Sequence, residues 1–163
     1  LTSSASSVAE NGSALTLTAT LSGATHEAVT VGISTSGTGT EGTDYVTVSD
    51  ITIAAGATTG TTSFTLSDDS DFEGDETAII AIDTVSGGGA TENSTPQAVT
   101  ITITDNESGP TVTLTSSALS IAENAGSSLT LTATLSVSTI ATVVDGISTS
   151  GTRTEGVYYG HVA

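Results

Sequence analysis

The chain has no cysteine, methionine, tryptophan or lysine, and a single arginine, Arg153, in 163 residues. Without cysteine there are no disulfides and no thiolate metal sites, and the redox compartment stays undecided. One basic residue against 18 acids leaves a formal net charge of -17. Phosphate backbones and anionic membrane surfaces therefore find nothing to bind. No apolar run approaches the roughly 20 residues that span a bilayer. Aromatic residues make up 3% of the chain. That is too few for the sugar platforms of a glycosidase cleft, although paired carboxylates could otherwise serve its chemistry. The two imidazoles, His26 and His161, are far apart in sequence, and a Ser–His–Asp triad needs one beside a nucleophile and an orienting acid. No enzyme is expected.

Hydrophobic residues still supply 36% of the chain, enough for a core of Val, Ile, Leu and Ala. They alternate with Thr and Ser in a period of two, the mark of half-buried strands. The pattern runs through Leu15-Leu17-Ala19-Leu21, Val29-Val31-Ile33, Ile51-Ile53, Phe64-Leu66, Ile80-Ile82 and Val99-Ile101-Ile103, after a short strand ending at Val8. Ile79 and Ala81 make the Ile80-Ile82 segment apolar on both faces. Gly and Ser clusters punctuate the gaps, and no stretch has a helical period. Seven short strands in about a hundred residues argue for an antiparallel β-sandwich.

The chain then begins again. LTSSASSVAEN at Leu1–Asn11 returns as LTSSALSIAEN at Leu114–Asn124, and Leu15–Ser22 recurs identically at Leu129–Ser136. GISTSGT at Gly32–Thr38 recurs at Gly146–Thr152, and Thr40-Glu41-Gly42 at Thr154-Glu155-Gly156. Residues 1–107 form one domain, Ser108-Gly109-Pro110 a linker, and residues 111–163 an incomplete second copy covering the first three strands. Such a fragment leaves sheet edges unpaired and an apolar face uncovered.

Asp68-Asp69-Ser70-Asp71-Phe72-Glu73-Gly74-Asp75-Glu76 packs six carboxylates into nine residues between two strands. A loop tethered at both ends cannot spread such charges apart. Strand order gathers further acids beside it. In an antiparallel sandwich the first, third and fifth connections share a pole with the end of the last strand. That pole receives Glu10, Glu41, Asp44, the acidic loop, Asp105 and Glu107, whereas the other holds only Glu27 and Glu92. Converging carboxylates suit a hard divalent cation, calcium first. Asp69, Asp71, Glu73 and Gly74 fit positions of an EF-hand loop, but Ile80 stands where its last ligand should be Glu, so that reading fails.

Val8-Ala9-Glu10-Asn11, Gly42-Thr43-Asp44-Tyr45, Asp68-Asp69 with Phe72–Glu76, and Ile103-Thr104-Asp105 with Glu107 resemble the Calx-β domain family. The resemblance implies a seven-stranded, Greek-key, immunoglobulin-like sandwich with Ca²⁺ bound at one pole. It also implies a ligand set of Glu10, Asp44, Asp68, Asp69, Glu73, Glu76 and Asp105. Asp71 and Asp75 match the family less well, and alternation turns them to solvent. The exit reads Asp105-Asn106-Glu107 where the family often has a run of Asp. Copy two keeps Glu123 but has Tyr158 for Asp44 and no acidic loop, so no complete site is expected there.

The expected function is a calcium-binding, non-catalytic structural or adhesive module of a secreted or cell-surface repeat protein, calcium rigidifying one pole and the interdomain junction. The alternative is a self-assembling subunit whose second repeat is completed by another chain. A third reading is a calcium sensor acting on a partner. Expected partners are calcium and neighbouring domains or subunits, with no nucleic acid and no membrane insertion. The extracellular expectation rests on a Thr-, Ser- and Gly-rich composition that offers trypsin-like proteases almost no site.

Overall fold

The computed structural model describes residues 1–93, 97–122, 126, 128–139 and 142–151. Glu123, Arg153, Glu155, Tyr158, Tyr159 and His161 lie outside the described residues, and with them the expectations placed on the end of copy two.

Domain one is a sandwich of two sheets. The first sheet orders β1 (Thr2–Ser3), β3 (Leu15–Thr20) and β6 (Thr59–Phe64) as β1-β3-β6. The second orders β2 (Ser7–Ala9), β8 (Ala98–Thr104), β7 (Glu76–Ser86), β4 (Val29–Gly37) and β5 (Ile51–Ile53) as β2-β8-β7-β4-β5. The expected first strand is therefore two strands on different sheets. Ser4-Ala5-Ser6, small enough for the chain to cross the sandwich edge, joins them. Ser4 donates its N–H to Thr16 O on one sheet, and Ser6 O accepts Thr102 N–H on the other. The crossing also corrects the all-antiparallel expectation, since β2 runs parallel to β8.

Alternation places the core as expected. Leu17, Val29, Ile51, Phe64, Ile80 and Ile101 are fully enclosed between the sheets. Ile80, the residue that spoils an EF-hand, is thus a core residue of a strand. Opposite Gly32 and Ile33 the β7 register slips by one, so that Ile82 and Val85, three apart, both pack on the core. Asp50 accepts the Ile33 N–H beside that irregularity at 3.1 Å, a structural duty that keeps this acid away from the pole. Tyr45 and Phe64 pack with ring centroids 5.0 Å apart and ring planes tilted by 37°. Burying either ring contributes about 1.5–3 kcal/mol.

The described part of copy two contains two strands, β9 (Val112–Ser116) and β10 (Leu131–Leu135), paired antiparallel. The expected third strand is absent among the described residues. Asp145 stands where copy one has Val31, which is 3% exposed, and a carboxylate at a core position works against that burial.

Candidate metal centre

The loops of one pole are tied to each other by backbone N–H groups donating to carboxylates. Tyr45, 1% exposed, anchors the β4–β5 connection in the core and so fixes Asp44 beside it. Asp44 Oδ2 accepts Thr40 N–H at 2.5 Å, and its carbonyl accepts Ser67 N–H at 2.9 Å, where the acidic loop begins. In that loop Asp69 donates its N–H to Glu10 Oε1 (3.1 Å), and Asp69 Oδ1 accepts Asp71 N–H (2.8 Å) in an Asx turn. Gly74 adopts φ +81°, which favours glycine, and this turn aims two successive N–H groups at Asp105. Asp105 Oδ2 accepts Glu73 N–H at 2.7 Å and Gly74 N–H at 2.5 Å, while Oδ1 accepts Glu107 N–H at 2.8 Å.

This scaffold assembles two triads of carboxylates. Glu10, Asp105 and Glu107 form one, and Asp44, Glu73 and Glu76 the other, each with ligand atoms within 4.8 Å of one another. Glu10 and Asp44 are 7% and 8% exposed. Glu107 Oε2 is buried without a hydrogen-bond partner, while Oε1 accepts from Asn106 Nδ2 at 2.6 Å. No described residue is Lys or Arg, and His26 sits in the β3–β4 connection of the opposite pole. There Gly56 N–H bonds Thr25 O at 2.8 Å and no acid cluster forms among the described residues. The donor set is all oxygen, which suits calcium or magnesium rather than zinc.

The charges register this crowding. Burial, followed by its hydrogen bond to Asp44 and the charge of that residue, pushes the Glu76 carboxyl up to about 7. Burial and neighbouring carboxylates likewise raise Glu10 and Glu73. Glu107 is raised by desolvation and by the neighbouring carboxylates, Asp105 among them. Asp105 is also desolvated, but the N–H groups of Gly74, Glu107 and Glu73 outweigh this and hold it below its ordinary value.

Of the seven residues expected to bind metal, five fall in the triads: Glu10, Asp44, Glu73, Glu76 and Asp105. Asp68 and Asp69 are exposed and belong to neither, although both charges act on Glu10. Glu107 is missing from the expected set, although its place two residues past Asp105 at the same pole is a signal for it. Glu41 turns back to accept the Thr35 hydroxyl. Asp75 is exposed and accepts Asp105 N–H at 3.3 Å. Asp71 departs from the expectation of a free solvent residue, because its Oδ1 accepts from Ser138 Oγ of copy two at 3.4 Å. Next to it Phe72 bridges to Thr139 and lays its ring against Gly109 of the linker, where an added Cβ would lie 3.4 Å from the ring.

Residues 1–107 match the family model of the Calx-beta domain. No curated protein matches the chain. Among solved structures, CBD12 from CALX1.2 and the calcium binding domain CBD12 of CALX1.1 are each 26% identical, with TM-score 0.52, over 61% of this chain. The chain spans 40% of the length of those two structures. The apo-form Calx CBD1 domain is 24% identical with TM-score 0.53, covering 61% of this chain and 88% of that one, a likeness of fold alone.

Proposed function

The chain belongs to the Calx-beta domain family, and from that premise we propose that domain one is a calcium-binding, non-catalytic module of a secreted or cell-surface repeat protein. One observation carries the reading: two buried carboxylates, Glu10 and Asp44, in a chain with no lysine and one arginine. A carboxylate taken out of water needs a proton or a counter-charge. With so little basic side chain to supply one, a solvent cation is the natural source. Glu10, Asp105 and Glu107 would hold one ion and Asp44, Glu73 and Glu76 another, with Glu107 Oε2 offering an oxygen that nothing else engages. When bound, calcium supplies the positive charge that cancels repulsion at this pole. The similar CBD12 of CALX1.1 is a calcium binding domain, which supports the choice of ion.

The use of the ion is argued from the loop's neighbours. Phe72 lies on Gly109, and Asp71 and Phe72 reach Ser138 and Thr139. Ordering the acidic loop would therefore fix the direction in which the next repeat leaves, a structural or adhesive role. The composition supports a location outside the cell.

A thermal melt of metal-stripped protein, then with Ca²⁺ and with Mg²⁺, tests the reading. Binding to the folded state alone stabilises by about 2.7 kcal/mol at a hundredfold excess over Kd. For a domain of this size that raises Tm on the order of 10 °C. The rise should be smaller with Mg²⁺ and lost in Glu10→Ala/Glu73→Ala. No rise in the unaltered chain would sink the proposal.

A further inference from the structure

The turn that leads from β2 into β3 is held amide by amide. Glu10 donates its N–H to Thr104 O at 3.0 Å, Asn11 to Asn106 Oδ1 at 3.2 Å, and Gly12 to Ala9 O at 2.7 Å. Gly12 packs so closely that an added Cβ would lie 2.7 Å from both Ala9 O and Val8 Cγ2. Only glycine fits there without moving the turn. The fold thus dictates which residue follows Asn11, and Asn11 itself is exposed.

That neighbour has a chemical consequence. Asparagine is a thermolabile residue, and before glycine it is at its most reactive, because no side chain shields the glycine nitrogen from the asparagine amide carbon. Asn11 alone has this neighbour, since Asn93, Asn106 and Asn124 precede Ser94, Glu107 and Ala125. In copy two the inserted Ala125 separates Asn124 from Gly126, so the same repeat carries its own comparison.

We propose that Asn11 is a site of spontaneous deamidation whose reaction waits on opening of the β2–β3 turn. The Gly12 nitrogen gives up its proton and bonds to Asn11 Cγ, the Cγ–Nδ2 bond breaks, and ammonia leaves with that proton. Solvent water then opens the succinimide ring at either carbonyl, leaving aspartate or isoaspartate. In the closed turn Ala9 O engages the Gly12 proton and holds the nitrogen out of the reaction. Local opening releases it. The product carries a new negative charge beside Glu10, at a pole already crowded with carboxylates. Isoaspartate also adds a carbon to the backbone between β2 and β3. Either change opposes reclosure, so a transient opening of this pole is recorded permanently. The inference does not depend on a bound ion.

The test incubates the full chain, metal-free, in neutral buffer with and without denaturing urea, then maps deamidation by proteolysis and mass spectrometry. Isoaspartate, which direct hydrolysis of the amide cannot form, should be the major product at Asn11. Its formation should be roughly tenfold or more faster in urea. In urea Asn124 should react more slowly than Asn11, and Gly12→Ala should suppress the reaction at Asn11. In native buffer Asn106→Ala, which removes the acceptor of the Asn11 N–H, should speed the reaction severalfold while hydrogen exchange at Ile80 and Ile101 stays unchanged. No isoaspartate at Asn11 in urea, equal rates with and without urea, or faster reaction at Asn124 would overturn the proposal. So would a rate unchanged by Asn106→Ala, or an acceleration matched by equal loss of protection at Ile80 and Ile101, which assigns the gate to global unfolding.

Discussion

Glu73 donates its backbone N–H to Asp105 Oδ2 at 2.7 Å while its own carboxylate groups with Asp44 and Glu76. One residue is thus held by the first triad and belongs to the second. The joint has a consequence for mutation. Asp105→Ala removes the acceptor for Glu73, Gly74 and Glu107 N–H groups, so the loop loses its turn as well as a carboxylate. Hydrogen bonds to charged groups are worth about 1.5–3 kcal/mol. The variant should melt on the order of 10 °C lower even without metal, and titration calorimetry should show both ion sites weakened.

Glu76→Gln should act with the opposite sign in metal-free protein. Glu76 ties down no described backbone N–H in the loop, and its carboxylate is crowded by Asp44 and Glu73. Neutralising it relieves repulsion, so the metal-free Tm at pH 8 should rise by a few degrees while the rise given by calcium shrinks. A lower metal-free Tm would show that crowding at this triad is not what limits stability.

The pH dependence follows from the same crowding. Glu76 has its carboxyl raised from 4.5 to about 7, and Glu10, Glu73 and Glu107 are raised in the same direction. The folded state then keeps protons that the unfolded state has released. Metal-free stability is present in full below about 4.5 and is lost as pH climbs through the raised values to about 7. Asp105, lowered from 3.8, contributes in reverse: its stabilisation holds above that value and is lost as pH falls through the lowered one. Melts of stripped protein should therefore be most stable in the mildly acidic range. With calcium the trend should invert between pH 5 and 8, because binding must displace the shared protons.

Phe72→Ala should leave domain one standing. Its ring covers Gly109 and its backbone bridges Thr139, and it is no part of the core between the sheets. Calcium affinity should change less than threefold. Small-angle scattering should show a broader spread of interdomain angles with calcium present, and an unchanged spread would place the junction's order elsewhere.

Much of the fold is legible in the sequence because alternation is a local signal. Leu17, Ile80 and Ile101 announce the sheet interior from their immediate neighbours. The break at Ser4-Ala5-Ser6 is not, since a strand that changes sheets keeps its period and only its partners differ. The acidic pole can be read from strand order alone, which brings Glu10, Asp44 and Asp105 to one pole although they are distant in sequence. The division of roles within it cannot. Whether an acid in a turn faces its neighbours, like Glu107, or solvent, like Asp68, depends on single dihedral angles that composition does not record. Asp71 escapes for a further reason: its partner Ser138 belongs to another repeat, and no spacing rule links the two.

The parallel pairing of β2 with β8 sets how this domain carries tension. The chain enters β2 at one pole and leaves β8 at the other, with Ser7, Val8 and Ala9 alongside Thr102, Ile103 and Thr104. Pulling on the two ends slides these strands along each other, so their bonds are loaded together in shear and not peeled open one at a time. Glu10 and Asp105, the residues next in line on each strand, then sit at the end of that clamp, and an ion held between them would act as a rivet.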